Sequence, residues 1–174
     1  MKRTIVHYSD DDVVRFTDLR HKIQKSGKLK KKILGVRYQN LLYRNNASIP
    51  LGTNIKGDLS LPHGLSGIFV SEGAVIGSNV TLFQQVTIGS NTLDDTKHRG
   101  APVIGDNVYI GAGAKIIGGI TVGNNVRIGA NTTVYKDVPD NCTVVSGSGM
   151  RIIPHAEPMD NTFKRFDDYY KSGK

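Results

Sequence analysis

The 174-residue chain contains no tryptophan, one cysteine and only 7 % aromatic residues. A single cysteine cannot form an internal disulfide, which excludes the disulfide-rich folds of small secreted proteins. No histidine stands near Cys142 in the sequence, so we interpret this cysteine as a packing residue rather than a nucleophile. The scarcity of large aromatic side chains predicts a narrow core filled by isoleucine, valine and alanine.

The sequence also lacks an apolar run long enough to span a bilayer, and no apolar segment follows its first basic residues. These absences predict a cytoplasmic protein. Nucleotide-binding motifs are missing as well. Ile116 stands where a motif beginning at Gly111 would need its third glycine, and the sequence has no P-loop.

What the sequence does contain is a six-residue repeat between Val70 and Val144. A helix needs apolar spacings of three and four, and a single strand alternates over one short run only. Sustained six-residue spacing therefore predicts a β-helix, in which each short strand forms one side of a prism. The row of aliphatic residues reads Val70, Ile76, Leu82, Ile88, Ile104, Ile110, Ile116, Val122, Ile128 and Val134, and a second row runs two positions earlier.

The repeat breaks once, between Ile88 and Ile104, where residues 89–101 form a polar, turn-rich insertion that carries His98. Surface loops of this kind often carry function, so the loop is a candidate part of an active site. A merely tolerated insertion is the plain alternative, since surface loops accept extra residues at small cost.

Residues 1–46 account for the whole net charge of +8, because they hold 12 of the 23 Lys/Arg and 4 of the 15 Asp/Glu. Their apolar spacing predicts helices that cap the open end of the β-helix. A second interpretation is a basic face that associates peripherally with the inner face of an anionic membrane or approaches a phosphorylated acceptor. Nucleic-acid binding is not predicted, since no aromatic stacking platform accompanies the charge.

The predicted organisation has three parts: a basic, mostly helical segment 1–46, a β-helix domain 47–153 and a C-terminal tail 154–174. The stretch 49–153 resembles the left-handed β-helix hexapeptide acyltransferases, and within them the serine acetyltransferase branch. The resemblance rests on segments 61–76, 83–89, 110–118 and 136–141. It implies a mainly β fold, a left-handed parallel β-helix of hexapeptide repeats with an N-terminal helical cap and one extruded loop. It also implies a homotrimer with active sites between subunits, acetyl-CoA as co-substrate and no metal.

His63 occupies the position of the catalytic histidine in this resemblance, and His98 that of a second histidine lining the acceptor pocket. A histidine suits the task because its ordinary pKa of about 6.5 lets it take a proton from an alcohol near neutral pH. Gln84 and Glu72 fall on substrate-binding positions, although each has an ordinary role at a corner of the prism as its alternative. The other histidines, His7, His21 and His155, are expected to face solvent.

For the cofactor, the resemblance places the pantetheine arm along small residues at successive corners and the phosphates beside cations. The implied set is Gly89, Gly111, Ala112, Gly129, Ala130, Lys136 and Arg151. A backbone amide near Gly89 is also a candidate donor to the oxyanion of the tetrahedral intermediate.

Two positions depart from the serine acetyltransferase pattern. Ser48 stands where that branch has the aspartate that orients the histidine, and Pro62 replaces the acidic residue before it. Since those carboxylates grip the amino group of serine, their loss predicts a saccharide acceptor, such as a cell-surface polysaccharide precursor. Serine is the alternative acceptor, and a non-catalytic β-helix scaffold is the alternative from another class. Ser48 and Asp58 are the nearest candidates to orient His63.

Overall fold

The computed structural model describes residues 8–147 and 149–163. They form two helices and thirteen short strands, and none of these helices is long and apolar enough to cross a membrane. The elements are α1 (Tyr8–Gln24), α2 (Lys28–Arg44), β1 (Asn54–Ile55), β2 (Phe69–Val70), β3 (Val75–Ile76), β4 (Thr81–Leu82), β5 (Thr87–Gly89), β6 (Val103–Ile104), β7 (Tyr109–Ile110), β8 (Lys115–Ile117), β9 (Thr121–Val122), β10 (Arg127–Ile128), β11 (Thr133–Val134), β12 (Cys142–Ser146) and β13 (Met150–Pro154).

The strands form the three faces of a prism, because each pairs in parallel with the strand one coil further along. Face 1 contains β2, β5, β8 and β11, and face 2 contains β1, β3, β6 and β9. Face 3 contains β4, β7, β10 and β12, and β13 closes it by pairing antiparallel with β12. The predicted parallel β-helix is therefore confirmed.

The core of the prism is the aliphatic row that defines the repeat. Ile76, Leu82 and Ile88 point inward from successive faces and are fully buried, and Ile110 and Ile116 repeat the arrangement one coil on. Because every coil places the same kind of side chain at the equivalent position of each face, the side chains of successive coils stack into one continuous apolar column.

The corner between face 2 and face 3 is built from a ladder of asparagines, and we call it the asparagine corner. Asn79, Asn107, Asn125 and Asn141 all have positive φ, between 54° and 56°. Each of the first three donates its side-chain amide to the side-chain oxygen of the next, at 3.0, 2.8 and 3.0 Å. Asparagine suits the position because its short polar side chain tolerates the left-handed region better than most residues do.

The two helices lie over the first coil of the prism and are tied to it by a buried arginine. Arg20 is 7 % exposed and donates to the Tyr38 hydroxyl and to the carbonyl oxygens of Pro50 and Thr53, at 3.1 to 3.2 Å. Tyr38 in turn donates to the carbonyl of Ile49 at 2.6 Å. Burial raises the pKa of the Tyr38 hydroxyl above its ordinary value, against a lowering by Arg20.

After β13, residues 155–163 run back across the outer surface of face 3. His155 is exposed and bonds the Thr143 hydroxyl at 2.8 Å. Asn161 is buried and accepts from Arg127 at 2.6 Å while donating to the carbonyl of Asn107 at 2.7 Å. The rest of the predicted tail lies outside the described residues, as does His7.

Candidate active site

The stacked turns between face 3 and face 1 form the first half of the candidate site. We call them the histidine corner, comprising residues 61–67, 83–85, 111–113 and 129–131. Backbone hydrogen bonds of 2.8 to 2.9 Å join each turn to the next, through Ser66 with Gln85, Gln84 with Gly113, and Ala112 with Asn131. The turns are thereby held in fixed register.

His63 is exposed on the first turn of this corner, directly above Gln84. The bridge between Ser60 and Thr81 makes the first coil 21 residues long, so position 63 stacks on position 84. The Nδ1 atom of His63 lies 2.7 Å from Oε1 of Gln84. Because an amide oxygen only accepts hydrogen bonds, this contact requires the proton on Nδ1, and in the neutral imidazole Nε2 then keeps its lone pair. The geometry therefore leaves Nε2 available as a base.

The imidazole of His63 is also held by packing. Phe83 meets it edge-on, with ring centroids 5.0 Å apart and planes at 85°. Phe83 itself packs against Tyr109 and, from the returning C-terminal segment, against Phe163, with centroid distances of 5.1 and 5.8 Å. One hydrogen bond and one aromatic contact thus fix the ring in two directions.

Neither residue considered from the sequence as the partner that orients His63 takes that role. Asp58 lies instead against His21 of α1, with Oδ1 3.1 Å from Nε2 of that histidine. Ser48 forms a backbone bridge with Phe69 at the start of face 1. Asp58 is close to His63 in the sequence, but helix α1 reaches the Asp58 turn and its His21 contacts the carboxylate. In residues 8–147 and 149–163, no carboxylate forms an ion pair with His63.

The second half of the candidate site lies between face 1 and face 2. This loop corner comprises residues 71–73, 89–102, 117–119 and 135–137. At its base Asn91 and Gly100 exchange two backbone hydrogen bonds of 2.8 Å. The Gly119 amide donates to the carbonyl oxygen of His98, also at 2.8 Å, so the histidine-bearing part of the loop is pinned to the coil beneath it. The tip projects outward, with Leu93 63 % exposed.

Four of the predicted site residues therefore share the loop corner: Glu72, Gly89, His98 and Lys136. Glu72 is exposed, with its carboxylate lying over Gly52, and the next residue, Gly73, sits against the Ala101 side chain at the end of the loop. Lys136 is exposed and its ammonium lies 5.5 Å from the ring centre of Tyr135.

His63 and His98 lie at different corners of the prism, so one chain does not bring them together. The same separation divides His63 from Glu72 and from Gly89. A site that uses both histidines needs the histidine corner of one chain to face the loop corner of another.

Most of the small residues expected at the cofactor lie at the histidine corner. Ala112 is partly exposed and Ala130 is exposed, whereas Gly111 is buried. A β-carbon on Gly111 would lie 2.7 Å from the backbone nitrogen of Ala130, so this glycine serves the stacking of coils. Its expected contact with a cofactor stays a prediction, at a position that exposes little surface in the single chain. Gly129 remains partly exposed, and Arg151 projects from β13 as an exposed cation.

The structure also reveals two residues that sequence reasoning missed. Lys115 donates to the carbonyl oxygens of Gln85 and Gly113, at 2.8 and 3.0 Å, and so places a positive charge beside the histidine corner. Phe83 backs the catalytic candidate. The available signal was the coil register, since Phe83 directly precedes Gln84 and Lys115 pairs with Thr87 on the next coil.

Cys142 is 2 % exposed, and burial, together with the negative charge of Asp140, raises the pKa of its thiol. Both influences disfavour the thiolate that a nucleophile requires. Within the described parts of the chain, no three His, Cys, Asp or Glu side chains converge in a way that could hold a metal ion.

Comparison with known proteins matches the chain to enzymes of one kind. The family model described as bacterial transferase hexapeptide, six repeats, matches residues 101–136. Serine acetyltransferase of Staphylococcus xylosus is 37 % identical over 112 residues, which cover 64 % of this chain and 50 % of that protein. The Staphylococcus aureus protein of the same name is 39 % identical over 112 residues, with coverages of 64 % and 51 %. The chain thus spans about half the length of the curated relatives it matches.

Solved structures lead to the same group. The crystal structure of serine acetyltransferase from Vibrio cholerae aligns with a TM-score of 0.66 at 28 % identity, covering 90 % of this chain and 59 % of that one. The Neisseria gonorrhoeae enzyme in complex with serine aligns with a TM-score of 0.63 at 27 % identity, with coverages of 82 % and 55 %. These neighbours confirm the predicted left-handed β-helix.

The comparisons overturn the expected saccharide acceptor. The curated relatives and structural neighbours described above are serine acetyltransferases. The expectation had been drawn from two missing carboxylates, at Ser48 and Pro62. Two positions are a weak basis for predicting the acceptor, because a carboxylate from another part of the site can bind the ammonium group of serine instead.

Proposed function

Because the chain belongs to the hexapeptide-repeat transferases, we propose that it transfers an acetyl group from acetyl-CoA to the hydroxyl of L-serine. The observation that carries the proposal is the arrangement of His63, whose Nδ1 is bonded to Gln84 and whose Nε2 is left as a base. The similarity to serine acetyltransferases supports the choice of donor and acceptor.

In the proposed reaction, Nε2 of His63 takes the proton from the serine hydroxyl as the oxygen attacks the thioester carbonyl of acetyl-CoA. The carbon–oxygen bond forms, and the carbonyl oxygen becomes the oxyanion of a tetrahedral intermediate. Collapse of this intermediate breaks the carbon–sulfur bond. The departing CoA sulfur recovers the proton from His63, so O-acetylserine and CoA leave and the enzyme is unchanged.

The Gln84 amide supports this cycle by holding the imidazole in one tautomer. A carboxylate in the same place would add a countercharge to the imidazolium, whereas the amide oxygen supplies orientation through a neutral hydrogen bond. Gln84 is therefore a positioning residue in the proposal.

We place the acceptor between two chains, because the residues implied for it lie at two corners. His63 and Gln84 come from the histidine corner of one chain, and His98 and Glu72 from the loop corner of its neighbour. The Glu72 carboxylate is the acidic group available to the serine ammonium at the loop corner, in place of those absent at Ser48 and Pro62. A contact between two different surfaces closes into a ring when the rotation allows, and three chains around one axis is the proposed assembly.

Acetyl-CoA is proposed to lie in the groove between neighbouring chains, along Ala112, Gly129 and Ala130. Lys136 and Arg151 are exposed cations suited to its phosphates. Lys115 adds positive charge near the reacting end. The Gly89 amide stays a candidate donor to the oxyanion, contributed from the loop corner.

The proposal is tested by measuring acetyl-CoA-dependent release of CoA by the purified full chain with L-serine as acceptor. O-Methylserine is the matched acceptor control, since it keeps the ammonium and carboxylate but has no free hydroxyl. We expect CoA release with L-serine but not with O-methylserine. We also expect the release with L-serine to be lost in His63→Ala. A chain that binds acetyl-CoA but releases no CoA with L-serine would overturn the proposed acceptor.

The shared site has its own experiment. His63→Ala and His98→Ala are each expected to have little or no activity by themselves. The two variants are then co-expressed. A mixed assembly contains interfaces in which both histidines are intact, so activity should return to about a quarter of wild type for random mixing in a ring. Activity that stays at the level of the separate variants would show that both histidines must come from one chain.

A further inference from the structure

Helix α2 carries an apolar surface that stays exposed in the described part of the chain. Its buried side, with Leu34, Tyr38, Leu41 and Leu42, packs into the cap. On the opposite side, Leu29, Ile33, Val36 and Tyr43 are 77, 54, 57 and 86 % exposed. Their spacing of four, three and seven residues aligns them on one helix face, and we call them the apolar stripe.

The stripe is bordered by positive charge on both sides. Lys28 and Lys32 fall to one side of it on a helical projection, and Lys30, Arg37 and Arg44 to the other. All five are exposed, and α2 contains no acidic residue. In the described parts of the chain none of these five cations forms an ion pair.

A cleft of about 360 Å³ between α1 and α2 adjoins the stripe. Three guanidinium groups, those of Arg15, Arg37 and Arg44, line it together with Asn40 and Asp18, and leucines complete the wall. Arginine is the side chain best suited to grip a phosphate through paired hydrogen bonds. An apolar surface therefore lies beside a cleft suited to an anion.

We propose that this face of α2 docks the protein onto an anionic lipid surface, with the apolar stripe at the boundary of the acyl chains and the arginine cleft against a phosphate headgroup. A helix with an apolar face, basic flanks and an aromatic residue at one end is typical of an interfacial helix that lies in the membrane plane. The stripe lies on the side of α2 opposite Tyr38, whose hydroxyl bonds the Ile49 carbonyl next to the first coil of the prism.

The charges argue against a second copy of the chain as occupant. Pairing two α2 helices in either direction would bring lysines and arginines against lysines and arginines, with no carboxylate on either helix to compensate. The convex shape of a single helix also suits a flat lipid surface, since the stripe itself forms no groove that could receive a partner helix.

The test is co-sedimentation of the full chain with vesicles of phosphatidylcholine alone or with roughly 30 % phosphatidylglycerol. We expect binding to the anionic vesicles that is at least about tenfold stronger than to neutral ones and that weakens as salt rises. The variant Leu29→Gln, Ile33→Gln, Val36→Gln should lose about tenfold or more of this binding. Val14→Gln is the matched control, because Val14 is 67 % exposed on α1, outside the stripe.

A separate variant, Arg37→Gln with Arg44→Gln, tests the cleft and should reduce the salt-sensitive part of the binding. Circular dichroism checks that each variant keeps its helices, and all substituted side chains are exposed. Wild-type protein that stays in the supernatant with anionic vesicles would overturn the proposal. Equal binding of wild type and the stripe variant would overturn it too, as would self-association in sedimentation velocity that only the stripe variant abolishes.

Discussion

The asparagine corner and the histidine corner are stacks of similar turns in the same prism, yet they use their polar side chains differently. At the asparagine corner each side-chain amide bonds the next one along the stack, and the ladder continues from Asn79 to Asn141. At the histidine corner the left-handed positions are held by Gly67, Gln85, Gly113 and Asn131, and the two glycines among them have no side chain that could continue a ladder. The polar side chains beside them, His63 and Gln84, bond each other and leave Nε2 of the histidine available.

This difference suggests that the asparagine corner contributes mainly to stability, whereas the histidine corner is suited to bind a ligand. A corner whose polar atoms are paired with one another stabilises the stack and leaves fewer of them for a substrate. A corner whose register is held by backbone hydrogen bonds can present side-chain atoms to a ligand. Substitutions at the two corners should therefore have opposite effects on activity and stability.

The largest expected effect is at the histidine corner. His63→Ala should reduce turnover by roughly 10²- to 10⁴-fold, because the proton acceptor is lost, while the melting temperature stays near that of wild type. Steady-state kinetics and thermal unfolding measure the two quantities. His155→Ala is the matched control, since that histidine is exposed and its ring contacts the hydroxyl of Thr143 on face 3. Unchanged turnover in His63→Ala would remove it as the base.

Ala130→Phe tests whether the cofactor lies along the same corner. The exposed methyl group is replaced by a ring that fills the proposed groove, so acetyl-CoA binding should weaken about 10- to 100-fold. Isothermal titration with acetyl-CoA gives the affinity. Thr133→Phe provides a bulky control at an exposed position of face 1, close in sequence to the groove but off the corner. Normal affinity in Ala130→Phe would refute the groove assignment.

A smaller effect on turnover is expected at Gln84. Gln84→Ala frees the imidazole and should lower kcat by roughly tenfold with little change in KM for acetyl-CoA. Gln84→Glu keeps an acceptor for the Nδ1 proton and should restore turnover, with an altered pH profile because a negative charge now faces the imidazole. A structural role alone predicts that both variants behave alike, so the pH profile decides between the two.

The asparagine corner should respond in the opposite way. Asn125→Leu removes two ladder hydrogen bonds and places a bulky residue at a φ of 56°, which should lower the free energy of unfolding by about 1–3 kcal/mol. Turnover should stay normal. Asn125→Gly accepts the positive φ but also lacks the hydrogen bonds, so the difference between the variants measures the backbone strain. Urea unfolding gives both values, and a loss of turnover without loss of stability would contradict the contrast between the corners.

The smallest effect concerns Cys142, which directly follows the last asparagine of the ladder. Burial and the charge of Asp140 raise the pKa of its thiol. The thiolate, which is the form that reacts with alkylating agents, therefore forms at a higher pH than for an ordinary cysteine. We expect negligible reaction of the native protein with iodoacetamide at pH 7 and full reaction after unfolding. Mass spectrometry counts the modified thiol, and Cys142→Ala should keep normal turnover.

Much of this molecule follows directly from the repeat. The inward row from Val70 to Val134 is predicted residue by residue, because a fixed six-residue step permits one kind of coil. His63 and His98 are predicted as site residues through resemblance of the surrounding segments. The partner of His63 is not, because the first coil has 21 residues, and the strand pairing that shows this length also shows that Gln84 lies beneath the histidine. Asp58, five positions away in the sequence, is held by the cap instead.

The sequence by itself therefore determined the β-helix, the position of its loop and the two histidines, since a local period and short segments suffice to specify them. Tertiary structure alone decided that the histidines stand at different corners, that the Gln84 amide lies against His63 and that, among the described residues, one apolar side of α2 stays exposed. The physical reason is that stacking brings together residues one coil apart. The count of residues in each irregular coil, together with the helices packed on its end, decides which side chains meet.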